Sequence, residues 1–100
     1  MSDILKALHE TAEGLHKAGG LKQATMREID ALCLPEIKDY SAVQIKRIRT
    51  RNKASQAVFV AYLNTSLSTI QKWETGQKHP NGPSLKLLNI VNRKGIEALA

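Results

Sequence analysis

Two short apolar-periodic segments, "SQAVFVAYL" and "SLSTIQKWETG", joined at Asn64 and Thr65, constrain this chain more than any other feature. Each is only two to three turns long, and isolated helices under about 12–15 residues are marginal in water. They must therefore pack on each other and on a supporting core. Ser55 and Ser66 stand where helix N-caps belong. Asn64 closes the first segment, since asparagine accepts left-handed backbone better than most side chains, and Gly76 stops the second. The inner faces read as Val58 or Phe59 with Val60 and Leu63, then Ile70 and Trp73. Trp73 and Phe59 sit at apolar positions and read as core residues rather than stacking platforms. The polar residues left outward on the second segment need another explanation.

The flanks supply the support. Ser41 with Gln44 forms a capping box, and Tyr40 with Ile45 forms the matching hydrophobic staple. The helix runs to about Arg51, with Val43 or Ile45 and Ile48 inward and Lys46, Arg47, Arg49 and Arg51 outward. Gly82-Pro83 opens another helix, proline suiting the first turn. Leu85, Leu87, Leu88, Ile90 and Val91 line it, and Gly95 ends it before a short tail.

Residues 1–40 are less definite. Residues 2–18 read as an amphipathic helix with Ile4, Leu5, Leu8, Ala12 and Leu15 at helical steps, ended by Ala18–Gly20 and with no obvious packing partner. Residues 25–34 fit either a helix or a strand, and Pro35–Tyr40 reads as an extended linker. Aromatic residues are 4% of the chain, which favours an aliphatic helical core. The expectation is an all-α protein: a bundle of about five helices over residues 41–100, behind an N-terminal extension, helical or partly disordered, over residues 1–40.

Charge narrows the function. The chain carries a formal net charge of +6, yet residues 1–40 are net −2 and residues 41–79 are net +6. The positive charge thus surrounds the helix pair, which suits an anionic partner such as nucleic acid. Cys33 is the lone cysteine, suits a reducing compartment and reads as a small buried hydrophobe. No signal peptide or membrane span is legible, so a cytoplasmic protein is expected. Catalysis is disfavoured by the lack of a glycine-rich phosphate loop, a nucleophile elbow or paired cysteines. His9, Glu13 and His16 fall on one helix face, but a metal site needs further ligands and a supporting shell. No metal or cofactor is expected.

Two short helices joined at a left-handed residue form a helix-turn-helix. In that motif the second helix enters the major groove of DNA with its N-terminal residues at base edges. "SQAVFVAYLNTSLSTIQKWETGQKHPNGPSLKLL" resembles the Cro/phage-repressor (XRE) helix-turn-helix family. Within it, Trp73–Leu88 is similar to the HigA-type antitoxin branch. The resemblance implies a lambda-repressor-like bundle that acts as a DNA-binding transcriptional repressor. It also implies base contacts from Leu67, Ser68 and Lys72, with Thr69 and Gln71 flanking, and phosphate contacts from Gln56, Ser66, Gln77 and Lys78. Arg49 and Arg51, on the basic helix before the motif, are further phosphate candidates.

Lysine can donate to guanine, serine can pair with several bases and leucine can pack on a thymine methyl. A single recognition helix reads too few base pairs, so a homodimer on an inverted-repeat operator is expected. The resemblance further implies that residues 1–40 bind a small basic toxin of the RelE-like ribonuclease superfamily; the other reading of this extension is a dimerisation or structural element. The alternatives are an ordinary regulator of the same family without a toxin, or a protein-interaction module on a helix-turn-helix scaffold. Two positions depart from the family pattern: Val60 replaces the usual alanine and Asn64 the usual glycine.

Overall fold

The computed structural model describes residues 3–100. It contains helices α1 (Asp3–Lys17), α2 (Gln23–Leu32), α3 (Ala42–Arg51), α4 (Gln56–Leu63), α5 (Leu67–Thr75) and α6 (Gly82–Lys94), then a 3₁₀ helix at Ile96–Leu99. No strand occurs among the described residues. The protein is all-α, as expected, and divides into two compact units, Met1–Glu36 and Ile37–Ala100.

The first unit is a helical hairpin. Helix α1 packs against α2, so the amphipathic N-terminal helix does have a partner; Ser2, included in the expected span, lies outside the described residues. Residues 25–34 resolve as helix over most of their length because Met26 points into the hairpin, where it is buried with Ala12. Two polar ties run across it. His9 Nε2 lies 2.6 Å from Asp30 Oδ1, so this member of the histidine row is engaged within the hairpin. Cys33 is half-buried rather than buried, and its Sγ donates to the Leu5 carbonyl at 3.3 Å.

The second unit is built as its local chemistry dictates. Gln44 N–H donates to Ser41 Oγ and Ser41 N–H to Gln44 Oε1, completing the capping box that starts α3. Ile45 and Ile48 face inward while Val43 is 65% exposed. In α4, Phe59 is fully buried and Val58 lies outside; Val60 is half-buried against the core. Asn64 takes the left-handed conformation at φ 52°, ψ 51°, which asparagine tolerates better than other non-glycine residues. Ile70 and Trp73 of α5 and Leu88 and Val91 of α6 complete the core, and Ile96 from the 3₁₀ helix joins it.

Asn89 is the buried polar residue of this core, at 2% exposure. Its Oδ1 accepts from the Lys38 N–H at 2.9 Å and the Tyr40 hydroxyl at 3.3 Å, while its Nδ2 donates to the carbonyls of Lys38 and Leu85, both at 2.9 Å. The segment Ile37–Tyr40 is thereby tied onto α6, rather than behaving as a plain linker. Stranding these backbone groups in a buried setting costs about 1–3 kcal/mol. Asn89→Ala is expected to lower unfolding stability by that amount, read from the midpoint of urea denaturation at an unchanged slope.

Candidate nucleic-acid interface

The rear of α5 is clamped from two directions. Ile70 and Trp73 anchor it in the core. One turn on, the Glu74 carboxylate receives a two-pronged grip from Arg49: Nε donates to Oε2 at 2.7 Å and Nη2 to Oε1 at 2.8 Å. Arg49 Nη1 also donates to the Ala54 carbonyl at 3.0 Å, and Gln56 Nε2 lies 3.5 Å from Glu74 Oε1. Side-chain exposures of 12% for Arg49 and 5% for Glu74 mark this as a mostly buried ion pair. The bonds to Glu74 raise the Arg49 pKa above its ordinary value, against the opposing effect of burial. A raised pKa on a base means a contribution present below the unfolded pKa and lost only when pH climbs through the folded one. Arg49 therefore stays charged, and its pairing intact on its side, throughout neutral conditions.

The front of α5 is open. Ser66 caps the helix through the Thr69 N–H at 3.2 Å, and its hydroxyl also bonds the Thr69 hydroxyl at 2.7 Å. Leu67 is 46% exposed, Ser68 and Gln71 are exposed and Lys72 is half-buried. An open notch of about 370 Å³ is lined by Ser68, Gln71, Lys72, Thr75 and Gln77. Gly76, at φ 81°, turns the chain there. The Lys78 N–H returns to the Lys72 carbonyl at 3.2 Å, fixing the loop against the end of the helix. Four residues singled out in the sequence, Ser68, Gln71, Lys72 and Gln77, thus converge on one concave surface. The unit that carries it, Ile37–Ala100, has a net charge of +8.

Comparison with known proteins adds one finding. Over 50 residues the chain is 40% identical to Antitoxin HigA-2 of Vibrio cholerae serotype O1. It is similar to an antitoxin. The matched stretch covers 50% of this chain and 48% of that protein, so the chain spans about half the length of the curated relative it matches. No family model matches the chain.

Several expected residues sit elsewhere or are otherwise engaged. Arg49, expected outward on α3 and on the DNA backbone, instead packs inward against α5, bonded to Glu74 and the Ala54 carbonyl. Arg51 lies on the opposite side of α3, donating to Asn92 on α6, and does not line the notch. The Thr69 hydroxyl is held by Ser66, and Thr69 is half-buried. Glu74 and Thr75 were not singled out in the sequence. Glu74 is the only acid among residues 41–79, which was the available signal that it neutralises something specific. Thr75, whose Oγ1 donates to the Gln71 carbonyl at 2.9 Å, carried none. Among the described residues, no helix is long and apolar enough to cross a membrane.

Proposed function

We propose that the chain is a non-enzymatic, sequence-specific DNA-binding repressor of the Cro/phage-repressor kind and the antitoxin of a toxin–antitoxin pair. One observation carries the DNA-binding half: a short helix clamped from behind by Trp73 and Glu74 presents Ser68, Gln71 and Lys72 around an open notch in a unit of net charge +8. Such a helix can lie in a major groove with side chains at base edges, while surrounding cations neutralise phosphates. In this reading Leu67, Ser68, Gln71 and Lys72 meet bases, with Thr69 beside them. Gln56, Ser66, Gln77 and Lys78 meet the backbone. Two copies bind half-sites about 34–36 Å apart, or a multiple of that spacing.

The antitoxin half is supported by the similarity to HigA-2. Residues 1–40, net −2, engage a small basic ribonuclease toxin of the RelE-like kind, and residues 41–100 repress the pair's own promoter from the cytoplasm.

Lys72 is the sharpest test. Lys72→Ala is expected to cost about 1–3 kcal/mol of binding at one base position and to relax specificity there. Affinities measured on a set of single-base operator variants check this. An equal loss on every sequence would make Lys72 a phosphate contact instead.

A further inference from the structure

We propose that a pocket between α3 and α6 binds a small organic carboxylate through Arg47 and Arg51, a site that rests on neither the DNA reading nor the toxin reading. The pocket encloses about 150 Å³ and is lined by Tyr40, Gln44, Arg47, Ile48, Arg51 and Asn92. Arg49, between the two arginines in sequence, is neutralised by Glu74. Arg47 and Arg51 are not. They stand one turn apart on the same face of α3, and none of the acids of residues 37–100 (Asp39, Glu74 and Glu97) lines the pocket. Arg47 has no hydrogen-bond or ion-pair partner among the described residues. Like charges at this spacing repel, so an anion set between them is attracted by both.

Arg51 is held ready by a neutral relay. The buried Asn89 Oδ1 accepts from the Tyr40 hydroxyl at 3.3 Å, the Tyr40 oxygen accepts from Asn92 Nδ2 at 3.1 Å, and Asn92 Oδ1 accepts from Arg51 Nη2. The relay fixes the guanidinium without cancelling its charge, so little rotamer freedom is lost when a ligand binds. Gln44 Oε1 is taken by the Ser41 N–H, which leaves its amide NH2 to donate. The walls select the kind of anion. Ile48 is buried and Tyr40 packs against the core, so apolar surface flanks the cations. A planar carboxylate matches the guanidinium fork, and its organic body covers Tyr40 and Ile48; inorganic phosphate would leave that surface unused. Arg47 and Arg51 each lie two residues from Arg49, about 200° around the helix, and Arg49 packs toward α5. The pocket therefore opens on the side of α3 away from the helix proposed to meet DNA.

Nuclear magnetic resonance titration of the full chain with benzoate, beside neutral benzamide and inorganic phosphate, tests this. Benzoate is expected to give saturable shifts at the Asn92 side-chain amide and the Arg51 Nε–H. Benzamide and phosphate are expected to bind at least about tenfold more weakly, the share of one charged hydrogen bond. Arg47→Gln and Arg51→Gln are each expected to weaken benzoate about tenfold, with unshifted core amides showing that the fold is kept. Asn92→Ala keeps both charges but releases Arg51, and should weaken benzoate several-fold. Lys46→Gln removes a charge outside the pocket and should change affinity less than about twofold, since exposed charges at a distance are screened. Benzoate shifts that do not saturate would overturn the proposal, as would benzamide or phosphate binding equally well. A loss in Lys46→Gln equal to that in the arginine variants would reduce the site to general charge. Displacement of benzoate by duplex DNA would also overturn it, by assigning the pocket to the nucleic-acid backbone.

Discussion

Glu74→Ala is expected to destabilise the unit Ile37–Ala100 by about 3–5 kcal/mol, the range for breaking a buried ion pair by removing one partner. The size follows from what is left behind. Arg49 would retain a full charge at 12% side-chain exposure, with the Ala54 carbonyl as its remaining bonded partner. The pair itself need not be a large net source of stability, because both groups were taken out of water to form it. Arg49→Met with Glu74→Leu is therefore expected to recover most of the loss. Urea denaturation of the two variants beside wild type reads both effects. A loss under about 1 kcal/mol for Glu74→Ala, typical of an exposed pair, would mean that water reaches Arg49 freely.

Trp73→Ala is expected to cost a similar amount, about 3–5 kcal/mol, by emptying the largest side chain on the inner face of α5. It should also abolish sequence-specific DNA binding, because Trp73 and Ile70 set the angle at which α5 presents Ser68 and Lys72. Leu67→Ala on the same helix removes a 46% exposed side chain and should change stability by no more than about 0.5 kcal/mol. Thermal denaturation of both variants, paired with DNA titrations, separates the residue that seats the helix from the one on its face. Comparable stability losses in the two would contradict this division.

The helix-turn-helix was legible because each of its boundaries is set by local chemistry: serine caps at Ser55 and Ser66, left-handed residues at Asn64 and Gly76, and a capping box at Ser41. These signals act within a few residues and need no tertiary context. The inward side of α4 was not legible, since "AVFVAYL" is apolar throughout and its periodicity cannot choose between Val58 and Phe59. On α3 the choice between Val43 and Ile45 was settled only by packing, which buries Ile45 and leaves Val43 exposed. Arg49 was misplaced because an exposed arginine and a paired one look alike until the partner, 25 residues away, is folded beside it. Asn89 escaped notice because its four bonds reach mainly to residues about 50 positions earlier. In the N-terminal hairpin the helical spacing of residues 25–34 competed with a strand reading, and packing of Met26 onto α1 decided it. The notch residues Ser68, Gln71, Lys72 and Gln77 were readable through family resemblance; that they share one concavity follows only from the turn at Gly76.

In the proposed function α5 reads base sequence. Selection of bound DNA from a random duplex pool at near-physiological salt, with wild type and Lys72→Ala run side by side, tests it most directly. Wild type is expected to enrich an inverted repeat, with at least one position of each half-site blurred in the variant. Salt-sensitive binding to every sequence, with no enrichment, would contradict that reading.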